Sequence, residues 1–226
     1  MIAVTTPWVY LVTDRRRLSP GARTTAEEVR ALEALIDEAI DAGVDAVQIR
    51  ERDLEARELL ALASRVAVRA RGRTRVLVND RIDVAIAAGA DGAHLRADSP
   101  PTAEVRALGP AGWIVGRSVH GVDEAGGELD ADYVLFGSVF AGGSKADGAA
   151  VAGLGRLQDA VAARHGPVFA IGGITPARAA EARLAGAAGV AAIGVFLPPG
   201  RAPGAMGVAA AVGALRAAMQ PRQPRD

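Results

Sequence analysis

Short apolar runs alternate with longer amphipathic segments along most of this chain. Several runs, such as V-L-V and F-A-I, are apolar at every position, which is typical of parallel strands that pack helices on one face and other side chains on the opposite face. Because the runs are short and rich in β-branched residues, we interpret them as strands. They comprise residues 9–14, 46–51, 75–80, 92–95, 113–119, 133–140, 168–171 and 190–194.

The segments between these runs have the apolar spacing of helices. The first contains T-T-A-E-E-V-R-A-L, in which Thr25 and Glu28 are spaced as a capping box, and Gly43 is placed to end the helix. Related phrases beginning A-G close a helix and open a strand at Ala42, Ala88 and Ala185. We interpret these phrases as structural turns, because glycine readily takes the left-handed conformation that ends a helix.

Repeated strand-helix alternation predicts a closed barrel. The predicted fold class is α/β, a (β/α)8 TIM barrel formed by a single domain over residues 1–219. Residues 220–226, Q-P-R-Q-P-R-D, are polar and rich in proline, so we expect a disordered tail. Active sites of such barrels form at the C-terminal ends of the strands, which confines the search for functional residues.

Composition excludes several classes of partner. Lys plus Arg and Asp plus Glu both number 26, so no net charge attracts a nucleic acid or a membrane surface. The chain has no cysteine and no apolar stretch near the ~20 residues of a membrane span, and we expect a cytoplasmic protein. Its Ala-rich exterior is compatible with a homodimer, although no sequence feature marks an interface.

The second strand carries the most unusual strand end. Gln48, Arg50 and Arg52 recur at period two and should therefore face one way, toward the barrel mouth. Guanidinium groups in a closed barrel require anions, because unpaired buried charge is costly. The anion could be a substrate phosphate or a neighbouring carboxylate, and the candidate carboxylates are Glu51, Asp53 and Asp80.

A cation site is conceivable at the third and fourth strands. Asn79 and Asp80 end the third strand, and Mg²⁺ usually binds one or two carboxylates together with substrate phosphate oxygens. Asp80 alone would bind Mg²⁺ weakly. A second carboxylate would have to come from Asp98, after the fourth strand, or from Asp14, after the first.

The fifth and sixth strands offer acid-base and anion-binding groups. Ser118 and His120 share a face at the end of the fifth strand, and a histidine there can act as a general acid or base. His94 has less support from its neighbours. Lys145, the only lysine in the sequence, follows two glycines and Ser144 in a loop that could either cradle an anion or be a plain surface loop.

Glycines end the seventh and eighth strands. Gly172 and Gly173 precede a helix that Thr175 can cap, while Ile193 and Gly194 end the last strand. Glycines at these two strand ends commonly bind phosphate in such barrels, because backbone N–H groups are accessible there. This is the strongest site prediction that the residues alone support.

Seven motifs, in order along nearly the whole chain, resemble the thiamine phosphate synthase/TenI family. They are V-Y-L-V-T-D, V-Q-I-R-E-R, V-N-D-R-I-D-V-A, G-A-D-G-A-H-L, V-G-R-S-V-H, A-D-Y-V-L-F-G-S-V-F and A-I-G-G-I-T-P. The resemblance implies a barrel that binds a phosphorylated hydroxyethyl-thiazole. Two activities share this framework. The synthase joins the thiazole to a pyrimidine pyrophosphate with Mg²⁺ and releases pyrophosphate, whereas the TenI-type tautomerase shifts protons on the thiazole without a cofactor.

The resemblance also implies roles for particular residues. In the synthase pattern, the Gln-x-Arg-x-Lys segment and the lysine of the glycine loop contact pyrophosphate, and the Asn-Asp pair with a later Asp holds the pyrimidine and Mg²⁺. The residues that match are Gln48, Arg50, Asn79, Asp80, Ser118 and Lys145. Arg52 replaces the lysine. Where the synthase reads His-Leu-Gly-Gln-x-Asp, this chain has Ser99 in place of the last Asp, so Asp98 would have to serve as the second metal ligand.

Three segments within these motifs look more like the tautomerase branch, namely R-E-R, G-R-S-V-H and A-D-Y-V-L-F-G. That branch often has a catalytic histidine where this chain has Ser138. We therefore expect a tautomerase in which His120 carries the proton and Ser118 and Ser138 orient the thiazole ring. Arg50 is the fourth residue of the expected catalytic site. The alternatives are a thiamine phosphate synthase and a non-catalytic regulator that binds a thiazole or thiamine phosphate.

Overall fold

Eight parallel strands close into a barrel in the order of the sequence, each paired with the next and the last with the first. The structure, a computed structural model, describes residues 4–142, 151–197 and 206–220. The strands are β1 (Trp8–Val12), β2 (Ala46–Ile49), β3 (Arg75–Asn79), β4 (Gly92–Leu95), β5 (Ile114–Val119), β6 (Tyr133–Gly137), β7 (Val168–Ile171) and β8 (Gly189–Ala192). The predicted fold class is confirmed.

Helices follow the strands on the outside of the barrel. In the described ranges they are α1 (Arg15–Leu18), α2 (Thr25–Asp41), α3 (Ala56–Ala70), α4 (Ile82–Ala87), α5 (Thr102–Leu108), α6 (Val122–Gly127), α7 (Gly153–Ala163), α8 (Pro176–Leu184) and α9 (Val208–Met219). None of these helices has the length and apolar character needed to cross a membrane. The predicted tail beyond position 220 lies outside the described residues.

Several strands end earlier than the sequence pattern predicted. The predicted sixth run continued to residue 140, whereas β6 ends at Gly137. The chain still contacts its neighbour beyond that point, since the amides of Val139 and Phe140 donate to the carbonyls of Ile171 and Gly172. The alternating sequence pattern continues through polar and small residues beyond the last residue that pairs with a neighbouring strand. The predicted strands were too long because they followed this pattern.

The cap of α2 lies one residue before the predicted position. Thr24 is the N-cap, and its hydroxyl accepts a hydrogen bond from the amide of Glu27 at 3.2 Å. The Glu27 carboxylate in turn accepts from the amide of Arg23 at 2.8 Å. The predicted pair of Thr25 and Glu28 was therefore wrong, because two consecutive threonines followed by two glutamates allow either register. The turns at Ala42, Ala88 and Ala185 are helix C-caps, as predicted.

Large side chains fill the barrel interior below its C-terminal end. This inner cluster alternates along each strand with residues that pack against the helices. Its largest members are Tyr10, Leu77, Ile114, Tyr133, Leu135 and Phe169. The barrel is therefore a packed core, and any ligand has to bind above this layer.

The N-cap gives a direct stability test. Replacing Thr24 with Ala should lower the free energy of unfolding by about 1 kcal/mol, because the amide of Glu27 loses its side-chain acceptor. Thr25→Ala is the matched control and should change the free energy by less than about 0.5 kcal/mol. Urea denaturation measures both; a larger loss from Thr25→Ala would contradict the cap assignment.

Candidate active site

A cavity of about 900 Å³ opens at the C-terminal ends of the strands. It brings together most of the residues that the sequence singled out. Those that line it are Gln48, Arg50, Arg52, Asn79, Asp98, Ser118, His120, Ser138, Gly172, Gly173, Ile193 and Gly194. Asp80 is not among the lining residues, and Lys145 lies outside the described residues.

The second-strand arginines have no carboxylate partner in the described part of the chain. Glu51 and Asp53, two of the candidate partners, instead bind the buried Arg15, at 3.1 Å and 2.6 Å. Arg15 also lowers the pKa of Asp53 to about 2, chiefly through their side-chain hydrogen bond. The guanidinium groups of Arg50 and Arg52 are therefore left facing the cavity.

Arg50 is in an environment that favours an incoming anion. Burial is the main reason that its pKa is lowered, and the neighbouring charge of Arg52 adds to the effect. Its backbone is fixed by an amide hydrogen bond to Thr13 Oγ1 at 2.9 Å. The Arg50 guanidinium is held in place, is partly desolvated and lies next to a like charge. A bound phosphate therefore stabilises it more than it would stabilise a fully solvated guanidinium.

The rim at the ends of β7 and β8 presents backbone amides. Gly172 and Gly173 have φ values of +99° and +63°, and a side chain at Gly173 would collide with the Ala141 carbonyl, 2.5 Å away. Within the described ranges, the amides of Gly173 and Gly194 donate to no other backbone group. Helix α8 begins directly after this turn, with Thr175 as its N-cap. The arrangement suits a phosphate group.

Two arginines beside these glycines were missed by sequence reasoning. Arg17 lies against Gly194, with Nη2 3.7 Å from the position that a Cβ would take there. Arg178 donates from one nitrogen to the carbonyls of Ala141 and Gly173, at 2.9 and 2.8 Å. Both arginines line the cavity. They were not predicted because they lie on helices, whereas the sequence-based prediction considered only residues at strand ends.

His94 has a larger role than its sequence context suggested. Its side chain lines the cavity floor and is 1% exposed. Nε2 lies 2.9 Å from Ser118 Oγ, and Nδ1 lies 3.0 Å from the Tyr133 hydroxyl. Burial, with the charges of Arg50 and Arg117, lowers its pKa to about 3, so the imidazole is neutral near pH 7. This role could not be predicted from the sequence, because the partners of His94 come from other strands.

His120 is held with one ring nitrogen available. Nδ1 donates to the Gly137 carbonyl, and the His120 amide donates to Glu124 at 2.9 Å. In the neutral ring, Nε2 therefore carries the lone pair and can act as a base. Ser138 lies beside it in the cavity lining and packs against Gly172.

The predicted metal ligands do not fit a magnesium site as they are arranged. Arg96 contacts both carboxylates, with Nη1 3.8 Å from Asp80 and Nη2 bonded to Asp98. Ser99, where the synthase pattern has an Asp, donates to the other oxygen of Asp80. Among the described residues, no group of three or more potential ligands is placed to hold a metal ion. The Arg96 guanidinium thus occupies the position next to Asp80 and Asp98 that a bound metal cation would take.

Comparisons with known proteins agree on one family. The family model described as thiamine monophosphate synthase matches residues 9–196. The thiamine-phosphate synthase of Methanoculleus marisnigri is 40% identical over 85% of this chain and 88% of its own length. That of Moorella thermoacetica is 42% identical over 87% and 89%, respectively. The solved thiamine phosphate pyrophosphorylase of Pyrococcus furiosus superposes with a TM-score of 0.76 at 31% identity, covering 94% of this chain and 95% of that one.

The pairing of Arg96 predicts how the site responds to a divalent ion. Arg96→Ala should bind Mn²⁺ roughly tenfold more tightly than the unmodified protein, because unit charges 4 Å apart interact by about 1 kcal/mol even in water. Arg81→Ala is the control, since Arg81 pairs with Asp83 instead. Titration followed by electron paramagnetic resonance gives the affinities. Equal affinity in the unmodified protein and the Arg96 variant would show that Arg96 does not occupy the cation position.

Proposed function

The chain belongs to the thiamine monophosphate synthase family, and on that premise we propose that it joins hydroxyethyl-thiazole phosphate to hydroxymethylpyrimidine pyrophosphate. It is an enzyme of thiamine biosynthesis. The relatives carry the name thiamine-phosphate synthase, which favours the synthase alternative over the tautomerase that the sequence motifs suggested. Release of pyrophosphate completes the proposed reaction.

One structural observation carries the proposal, namely that the cavity offers two separate positions for an anion. Among the described residues, Arg50 and Arg52 at the end of β2 form no ion pair, and the amides of Gly173 and Gly194, after β7 and β8, donate to no backbone group. From strand spacing and tilt, these parts of the rim are about 10 to 14 Å apart. A reaction between two phosphorylated molecules needs two such positions, whereas a tautomerase needs one.

The two positions suggest a division of roles. The thiazole phosphate binds at Gly172, Gly173 and Gly194, so that its ring points toward the cavity centre. The pyrophosphate of the second substrate binds at Arg50 and Arg52. As the bond from the pyrimidine methylene carbon to pyrophosphate breaks, a bond from that carbon to the thiazole nitrogen forms. The electron pair leaves with pyrophosphate, whose growing charge the arginines stabilise.

No proposed step involves a metal ion. Magnesium accompanies the synthase reaction in the family pattern, but here Asp80 and Asp98 are already bound by Arg96. The described cations Arg50 and Arg52 supply positive charge to the cavity instead. Gln48 and Asn79, which are joined by a 2.8 Å hydrogen bond on the cavity floor, are placed to orient the pyrimidine ring.

A second candidate is the thiazole tautomerase, which the geometry of His120 favours. Its Nε2 is available as a base, and Ser118 and Ser138 lie in the same cavity. In this reaction Nε2 would remove a proton from one ring position and return it at another. His120→Ala with unchanged rates of tautomerisation would reject this role.

The deciding experiment supplies both substrates. Purified protein is incubated with the thiazole phosphate and the pyrimidine pyrophosphate, with and without Mg²⁺, and thiamine phosphate is followed by chromatography. Formation of product supports the synthase. Isomerisation of the thiazole without coupling supports the tautomerase, and tight binding of the thiazole phosphate without turnover supports the regulator.

The proposed pyrophosphate site at Arg50 and Arg52 predicts that loss of Arg50 strongly reduces the rate of coupling. Arg50→Ala should lower kcat/KM for coupling by about a hundredfold, because a fixed donor to the leaving group is lost. Arg75→Ala is the matched control, since Arg75 begins β3 at the opposite end of the barrel. Steady-state kinetics of product formation measure both. A loss below threefold in the Arg50 variant would remove this residue from the proposed pyrophosphate site.

The glycine position can be tested without disturbing the fold. Of the residues that the structure describes, only Arg17 has an atom near a Cβ added to Gly194, so Gly194→Ala should fold normally. The added methyl group occupies the space between Gly194 and Arg17 and should weaken binding of the thiazole phosphate roughly tenfold. Calorimetric titration measures the affinity, with Gly213→Ala on α9 as the control. Unchanged affinity in the Gly194 variant would place the phosphate elsewhere.

A further inference from the structure

A row of hydrogen-bonded polar side chains crosses the floor of the cavity and enters the packed barrel interior. It starts at the hydroxyl of a cavity-lining serine and passes through residues that are almost completely buried. We refer to this row as the polar chain. Its members, in spatial order, are Ser118, His94, Tyr133, Tyr10, Gln48 and Asn79.

The links of the polar chain form an unbranched series. Ser118 Oγ lies 2.9 Å from His94 Nε2, and His94 Nδ1 lies 3.0 Å from the Tyr133 hydroxyl. The two tyrosine hydroxyls are 2.9 Å apart, and the Tyr10 hydroxyl lies 3.5 Å from Gln48 Oε1. The series contacts residues of six strands, so no local sequence motif reveals it.

The three members between Ser118 and Gln48, which are His94, Tyr133 and Tyr10, each have one proton to donate. Burial raises the pKa of both tyrosine hydroxyls above the usual range, so both stay protonated. Burial and nearby arginines keep His94 neutral, with a proton on only one of its two nitrogens. Each group can therefore donate to one neighbour only, and it must accept from the other.

Gln48 determines the direction in which the protons point. Its Nε2 donates to Asn79 Oδ1 at 2.8 Å, so its Oε1 faces Tyr10 and can only accept. Tyr10 then donates to Gln48 and accepts from Tyr133. Because the Tyr133 proton is used in this way, Tyr133 must accept from His94 Nδ1–H. His94 Nε2 is then unprotonated and accepts from Ser118.

We propose that the polar chain donates in one direction, from Ser118 to Asn79, and that His94 is thereby a positioning residue that directs the lone pairs of Ser118 Oγ toward the cavity. A ligand group that meets Ser118 must then be a hydrogen-bond donor, such as an amino group on a heteroaromatic ring. The proton direction is independent of the reaction, whereas the identification of this donor with a substrate amino group rests on the proposed function.

Nuclear magnetic resonance can read the proton direction directly. The sequence contains three histidines, so protein labelled with ¹⁵N-histidine gives three ring systems, which His120→Gln and His165→Gln assign by elimination. Long-range ¹H–¹⁵N spectra at pH 7 should show His94 protonated at Nδ1. Protonation at Nε2 would overturn the proposal.

The sharper test removes a hydroxyl that does not touch His94. In Tyr10→Phe, Tyr133 has no acceptor except His94 Nδ1, so His94 should change to the Nε2–H tautomer. Phe169→Leu is the control, because Phe169 packs against both tyrosines but takes no part in the hydrogen bonds, and it should leave the tautomer unchanged. An unchanged tautomer in Tyr10→Phe would contradict the proposal, because a purely structural role of Tyr10 predicts that result.

A kinetic measurement addresses the substrate separately. If thiamine phosphate forms, Tyr10→Phe should lower kcat/KM about tenfold, because Ser118 would then accept from His94 and present its own proton to a ligand donor. If the tautomer of His94 changes in Tyr10→Phe but kcat/KM stays normal, Ser118 does not accept a hydrogen bond from a substrate amino group. The proposed direction of donation along the polar chain would still be supported by the changed tautomer. Absence of product in the unmodified protein would contradict the proposed function alone, since the tautomer measurement requires no turnover.

Discussion

The ion pairs of Arg15 are the interaction on which the rest of the site depends. Arg15 is 3% exposed and binds Glu28 of α2 together with Glu51 and Asp53 of the loop after β2, so three carboxylates meet at one buried guanidinium. Breaking a buried pair of this kind is costly, which holds the arrangement together. Because Glu51 and Asp53 are bound there, Arg50 and Arg52 at the same strand end have no ion-pair partner within the described part of the chain and remain available to an anion.

The packed barrel interior supplies the second constraint. Tyr10, Tyr133 and Phe169 fill the space beneath the cavity, and the two phenols have to form hydrogen bonds there because an unpaired buried hydroxyl is costly. Their bonds extend upward to His94 and Gln48. Core packing and site chemistry are therefore joined, because the residues that fill the barrel also fix how the cavity floor presents its donors and acceptors.

The fold and much of the cavity lining could be predicted from the sequence because both follow local patterns. Alternation placed Gln48, Arg50 and Arg52 on one face, and consecutive glycines identified the turn after β7. What could not be predicted depends on residues far apart in the chain. Arg15 meets Glu51 across 36 positions, and His94 meets Tyr133 across 39. The pairing of Arg96 could not be predicted, because it follows from a loop conformation that brings this residue to Asp80 and Asp98.

In the proposed synthase, the cavity binds two phosphorylated groups at once, at different parts of its rim. Calorimetric titration of inorganic pyrophosphate into protein saturated with the thiazole phosphate tests this most directly. Binding of one equivalent of pyrophosphate, with an affinity close to that in the absence of the thiazole phosphate, is the result that two positions predict. Competition, in which the thiazole phosphate abolishes pyrophosphate binding, would mean that the cavity has a single anion position and would contradict the account.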